Sequence, residues 1–163
     1  MYNSSQSLAP YVASPITVAK KMLEIADVKP DETVFDLGCG DGRILIIAAQ
    51  EFGAKGIGIE LNPNLVKESR AKIEELKLNN RIQIVQGDLM KTDLSQADVV
   101  TMYLTTGANE KIRPKLETEL KSGARVVTHD FSIPKWVALQ EIRFRDDYRT
   151  HTIYLYRKPK SIR

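Results

Sequence analysis

The chain has 163 residues, 42% of them hydrophobic and 28% charged, and carries a net charge of +3. That length suits one domain with a core of its own, and the composition is that of an ordinary soluble globular protein. No apolar run reaches membrane-span length, the opening Asn3-Ser4-Ser5-Gln6-Ser7 lacks a signal peptide's basic and apolar regions, and a lone Cys39 excludes an internal disulfide, so a reducing, cytoplasmic setting is expected.

Residues 1–10 read as a flexible tail, and 11–158 as a single domain in which 11–29 form an N-terminal cap segment and helix. Ile16, Ala19, Met22, Leu23 and Ala26 recur at a helical period, with Pro15 suited to the first turn. Pro30-Asp31-Glu32 turns the chain into a first strand over 33–37, followed by a helix over 42–52 and a strand over 56–60. A long helix over 62–78 is capped by Asn62-Pro63 and ended by Asn79-Asn80. Strands follow at 81–86 and 98–103, then a helix near 108–121 that Lys121-Ser122-Gly123 closes, and a strand over 125–130. Two extended stretches, 139–145 and 151–157, finish the domain. In the second, His151, Ile153 and Leu155 alternate with Thr152, Tyr154 and Tyr156, as in a half-buried antiparallel strand. The end, Arg157-Lys158-Pro159-Lys160-Ser161-Ile162-Arg163, reads as a solvated basic tail over 159–163. Strands alternating with helices before a closing hairpin predict an α/β, doubly wound sheet with a mostly parallel core.

The run Val34-Phe35-Asp36-Leu37-Gly38-Cys39-Gly40-Asp41-Gly42 carries the chemistry. It is a short apolar strand, an acid at its end, and glycines at alternate positions before a helix. Such glycines let a ligand lie against bare main chain, and the helix N-terminus favours an anionic group. Glu60, 22 residues after Gly38, ends the next strand, where a ribose-reading carboxylate belongs. A dinucleotide fingerprint would read Gly-x-Gly-x-x-Gly, but here the third glycine falls one residue early at Gly42 and Arg43 occupies the fingerprint position.

The Asp-x-Gly-x-Gly-x-Gly form resembles motif I of the class I, seven-stranded S-adenosylmethionine-dependent methyltransferases. That resemblance implies a Rossmann-like fold in three α/β/α layers, strand order 3-2-1-4-5-7-6 with the last strand antiparallel, and S-adenosyl-L-methionine as cofactor, leaving S-adenosyl-L-homocysteine as product. It implies that Asp36 meets the methionine ammonium and that the loop Gly38, Cys39, Gly40 and Gly42 meets the carboxylate. Glu60 would take both ribose hydroxyls, the Asp88 side chain the adenine amino group, and the Leu89 backbone the ring.

Pro10-Tyr11-Val12-Ala13-Ser14-Pro15, the 36–43 loop, the 115–127 segment Lys-Leu-Glu-Thr-Glu-Leu-Lys-Ser-Gly-Ala-Arg-Val-Val and Thr152-Ile153-Tyr154-Leu155-Tyr156 narrow the likeness. Together they resemble the archaeal broad-specificity protein lysine methyltransferases and their mitochondrial lysine-methylating relatives, which share a core plan with the disruptor-of-telomeric-silencing histone methyltransferases. In that group a Tyr-x-x-Thr segment closes over the methionine part of the cofactor. Tyr11 and Ser14 match it, serine keeping the hydroxyl without the methyl, and Ala13 stands where a proline is common.

After the fourth strand the chain reads Val99-Val100-Thr101-Met102-Tyr103-Leu104-Thr105-Thr106, without the Asn/Asp-Pro-Pro-Tyr/Phe signature of enzymes that methylate planar nitrogens. Tyr103 is the candidate to line the acceptor channel; His129 and Asp130 end the fifth strand on the same side, where core or supporting duty is expected. Metal ligands are not expected. Cys39 lacks an evident base, so nucleophilic duty is not expected of it either. The core consumes most of the chain, which suits an acceptor that brings its own bulk. The resemblance implies protein substrates bearing exposed lysines, DNA-associated proteins and the enzyme itself among them. Neither membrane contact nor sequence-specific nucleic-acid binding is expected, and a monomeric state is. Transfer would be in line to a neutral ε-amine without a strong dedicated base. Neutralising an ordinary lysine at pH 7 costs roughly 4–5 kcal/mol, which a nearby sulfonium and an apolar slot both reduce. Two alternatives stay open: an RNA or small-molecule methyltransferase on the same scaffold, and a cofactor-binding module without chemistry.

Overall fold

The computed structural model describes residues 12–158; Tyr11, the 1–10 tail and the basic 159–163 stretch lie outside the described residues. Helices α1 (Ile16–Ile25), α2 (Arg43–Phe52), α3 (Pro63–Glu75) and α4 (Thr106–Glu119) accompany strands β1 (Thr33–Leu37), β2 (Lys55–Glu60), β3 (Ile82–Gln86), β4 (Val99–Met102), β5 (Arg125–His129), β6 (Gln140–Arg145) and β7 (Thr150–Arg157). They form one seven-stranded sheet in the order β3-β2-β1-β4-β5-β7-β6, the order the resemblance implies. β1 pairs in parallel with both β2 and β4, and β7 runs antiparallel between β5 and β6.

β1 and β4 read as continuous apolar runs because both of their faces are covered. On one face α1, α2 and α3 bury Met22, Leu23, Leu45, Val66 and Ile73; on the other α4 buries Ile112 and Leu116 together with Leu94 and Ile133. Strand order reverses at β1, so a crevice opens beyond the carboxyl ends of β1 and β4, where ligands bind in open α/β sheets. No helix among the described residues is long and apolar enough to cross a membrane.

The element ends differ from the sequence expectation for local reasons. α3 stops at Glu75 rather than 78, because Lys77 takes φ 57° and the amides of Lys77 and Leu78 return to the carbonyls of Glu74 and Ile73. α4 starts at Thr106 rather than 108, because the Thr105 hydroxyl accepts the Ala108 amide at 3.1 Å. Tyr156 departs from the half-buried alternation expected of its strand. It is only 1% exposed, since the segment after β5 folds back over that face and the Ile133 amide donates to its hydroxyl at 2.9 Å.

Candidate active site

The glycine loop leaves β1 at the switch point. Gly42 has φ +82°, a conformation that favours glycine, and a Cβ there would lie 3.3 Å from the Ser69 Cβ, so a side chain would also press on α3. Four of the loop's amides donate within the protein. Those of Gly38 and Cys39 donate to the Ile59 carbonyl, that of Gly42 to the Cys39 carbonyl, and that of Gly40 to Glu60 Oε1 at 2.9 Å. These bonds hold the loop's shape at the switch point.

Glu60 ends β2 nearly buried. Its Oε1 takes the Gly40 amide and its Oε2 the Asn62 amide at 2.9 Å, which fixes the carboxylate while each oxygen keeps a further lone pair. Asp36 is buried on β1 beside its register partner Thr101, whose hydroxyl donates to Oδ1 at 2.9 Å. Burial pushes the Asp36 carboxyl up to about 7, and the charges of Glu60 and Asp41 add to this against the Thr101 hydrogen bond. Asp88 ends the loop after β3, where its Oδ1 caps the short 3₁₀ turn Leu89–Lys91 through the Met90 amide at 2.9 Å. One carboxylate oxygen is thus committed to the turn, and Leu89 beneath it is 9% exposed.

The Cys39 side chain packs over Gly58 of β2, in the same buried cluster as Ile84. Burial, with the charges of Asp36 and Glu60, raises its thiol well above the ordinary range, so it is inert. Any contact of Cys39 with a ligand is through its backbone. Gly58→Ala should destabilise the fold by about 1–3 kcal/mol and displace this loop, because the new Cβ would stand 2.6 Å from Cys39 Sγ and 2.9 Å from Ile84 Cδ1. Urea unfolding measures the first effect; a variant as stable as the parent would refute it.

Ser14, Asp36, Gly38, Asp41, Arg43 and Tyr103 line one cavity at this end of the sheet. A larger groove beside α3 and β3, lined by Arg70, Ile73 and Gln83, holds none of the motif residues. The sequence reading gave Asp41 and Arg43 no role, yet they pair at 2.7 Å and Arg43 Nη1 donates to the Ser14 carbonyl at 3.1 Å. That clamp ties the N-terminal segment to the glycine loop. Burial alone would raise the Asp41 carboxyl, but the Arg43 bonds outweigh it and hold it low.

Opposite, the Tyr103 ring stacks on His129 with centroids 3.9 Å apart, and its hydroxyl donates to Asp130 Oδ2 at 3.3 Å. Arg149 pairs with Asp130 at 2.6 Å and also reaches the Tyr103 oxygen. Behind Tyr103 runs a chain that is buried but for its last link: Ser14 Oγ to His129 Nδ1 at 2.8 Å, His129 Nε2 to His151 Nδ1 at 2.8 Å, and, part-buried, His151 Nε2 to Asp146 Oδ2 at 2.6 Å. His129, Asp130 and His151 bring possible metal ligands within 4.8 Å of one another, a convergence that no spacing in the sequence displays. The two facing ring nitrogens, however, are already joined to each other. Asn109, fully buried, donates to the carbonyls of Phe131 and Ser132 and so sets the loop that follows Asp130.

Residues 36–140 match the ANTKMT methyltransferase domain, close to two thirds of the chain. The chain belongs to this methyltransferase family. The methyltransferase is 48% identical, over 90% of its length and 92% of the relative's, to a protein-lysine N-methyltransferase of Saccharolobus islandicus. It is 34% identical to the adenine nucleotide translocase lysine N-methyltransferase of Mus musculus over 78% of its own length, but spans only 55% of that protein. Among solved structures it is similar to a Salinibacter ruber protein described as an RNA methyltransferase in complex with S-adenosyl-L-homocysteine. That match has TM-score 0.87 and 40% identity, over 93% of this chain and 97% of the other. The family match takes in Asp36, Glu60, Asp88, Tyr103 and His129 of the methyltransferase but stops short of Asp146 and His151.

Proposed function

We propose that this methyltransferase moves a methyl group from S-adenosyl-L-methionine to the ε-amine of lysines in proteins. The observation that carries the reading is the 48% identity to the archaeal lysine enzyme, which extends over nearly the whole of both chains. The residues present fit the cofactor. Asp36 is a buried carboxyl whose negative neighbours Glu60 and Asp41 leave it suited to a cationic ligand group. Glu60 is fixed at the end of β2, and Asp88 keeps one oxygen free of its turn. Asp36 and Ser14 would hold the amino-acid end, Glu60 the ribose, and Asp88 with the Leu89 backbone the base. Tyr11, outside the described residues, would cover the amino-acid end. The cofactor supplies a sulfonium methyl that an amine lone pair displaces.

Tyr103 lines the acceptor side of the cavity, with its ring held by His129 and its hydroxyl by Asp130 and Arg149. A lysine stem packed on that ring loses solvent, which favours the neutral amine needed for attack. Transfer of labelled methyl into a cell extract, followed by split protease and nuclease digestion, tests the proposal. Label should be lost to protease alone and recovered as methyl-lysine. The description of the Salinibacter structure as an RNA methyltransferase gives the second reading its support; label lost to nuclease would put that reading first.

A further inference from the structure

Four polar groups behind the cavity, Ser14, His129 and His151 buried and Asp146 half-buried, form an ordered series whose direction is set at one end. Asp146 lies in the tight turn between β6 and β7, where Oδ1 accepts the amides of Tyr148 and Arg149 at 2.8 and 2.9 Å. Those amides, aided by His151, hold the Asp146 carboxyl down at about 2, so it is ionised and can only accept. His151 Nε2, 2.6 Å from Oδ2, therefore carries a hydrogen. In the neutral form an imidazole has one donor and one acceptor, and in that form His151 Nδ1 accepts and His129 Nε2 donates across 2.8 Å. His129 Nδ1 is then the acceptor, and the Ser14 hydroxyl spends its single hydrogen on it across 2.8 Å. Burial keeps His129 neutral, pulling it down to about 4 despite Asp130 Oδ2 at 3.6 Å. The other groups facing it are the Tyr103 ring and Arg149, which is paired with Asp130.

We infer that Asp146, His151 and His129 are positioning residues that make the Ser14 hydroxyl an obligate hydrogen-bond acceptor toward the cavity, for a ligand that presents a primary ammonium. The inference rests on the site proposed above. Ser14 shares the cavity wall with Asp36, and the Asp41 carboxylate on that wall is already paired with Arg43, so the acceptors left to a ligand there are the Asp36 carboxylate and the Ser14 hydroxyl, a pair matched to an N–H cation. That ammonium belongs either to the amino-acid end of the cofactor or to the acceptor lysine.

The chain has two histidines, so imidazole nitrogen NMR resolves both without ambiguity. In the wild-type protein at pH 8 both rings should carry hydrogen on Nε2. In Asp146→Asn, Oδ1 stays with the two turn amides and the new NH2 faces His151 Nε2. Both rings should then switch to Nδ1–H, turning the Ser14 hydroxyl toward the cavity as a donor. Affinity for S-adenosylhomocysteine should fall about tenfold, the order expected when a donor is set against an ammonium, while 5′-methylthioadenosine, which lacks the amino acid, binds unchanged. Ser14→Ala should abolish the sensitivity, the double variant binding no more weakly than Ser14→Ala alone. If S-adenosylhomocysteine binding holds and the KM for poly-L-lysine rises instead, the ammonium is that of the acceptor. Hydrogen on Nδ1 of His129 in the wild type, an additive loss in the double variant, or no change in either ligand would overturn the inference. A wild-type protein with Nε2–H on both rings that binds no S-adenosylhomocysteine would overturn the cofactor reading and the ammonium half with it, while the hydrogen order stood.

Discussion

Glu60→Ala should weaken S-adenosylhomocysteine binding at least 100-fold in a calorimetric titration. Two contributions add. The ribose would lose two charge-assisted hydrogen bonds, each worth about 1.5–3 kcal/mol. The Gly40 and Asn62 amides would lose the acceptors that now fix the loop after β1 and the entry to α3. Glu60→Gln separates the two. Its amide must set an NH2 against one of those backbone N–H groups, so it should recover little of the affinity although its shape is preserved. A Glu60→Ala protein that binds within threefold of the parent would remove Glu60 from the site.

Cofactor binding should depend on pH through Asp36. Its carboxyl, pushed up to about 7 chiefly by burial, is half protonated near neutrality in the free protein. A ligand ammonium favours the ionised form, so binding below pH 7 must release a proton. Affinity for S-adenosylhomocysteine should then fall up to about tenfold for each pH unit between 7 and 5, and stay level above 7. Titrations at pH 6 in two buffers of different ionisation enthalpy would count the proton released. Asp36→Asn should bind weakly with no such slope, which separates Asp36 from other groups that titrate in the range. Equal wild-type affinity at pH 5.5 and pH 8 would refute the assignment.

The alternation of strands and helices and the placement of Asp36, Glu60 and Asp88 at strand ends were legible in the sequence because they rest on local patterns, whereas the strand order came from the family resemblance. A buried strand reads as an apolar run, a glycine turn as alternate glycines, and a crossover helix as a 3.6-residue period. The wall around Ser14 was not legible. Ser14 meets His129 across 115 residues and His129 meets His151 across 22, and neither imidazole carries a local signature of its partner. Two histidines in so long a chain, one ending a strand and one opening another at the same rim, were the available hint. The partners of the loop amides were not legible either. The glycine spacing reveals how the backbone bends, while where its N–H groups point depends on Ile59 and Glu60, which a pattern of glycines does not contain. Cys39 was placed with the ligand by its position in the loop, yet the absence of a side chain at Gly58 gives the thiol its berth in the sheet.

β7 follows the other six strands in chain order yet lies inside the sheet, between β5 and β6. A ribosome delivers this protein from its N-terminus, so β5 waits with an open edge until the final hairpin arrives and slots in. Until then His129 has no His151, Ser14 has no fixed hydroxyl, and the exposed strand edge is free to pair with another chain. A product cut short before residue 150 would hold the whole glycine loop, Glu60 and Asp88 and still lack one wall of the cavity. Competence is thus tied to β7: a strand made after all the motif residues is the one that fixes the wall around Ser14.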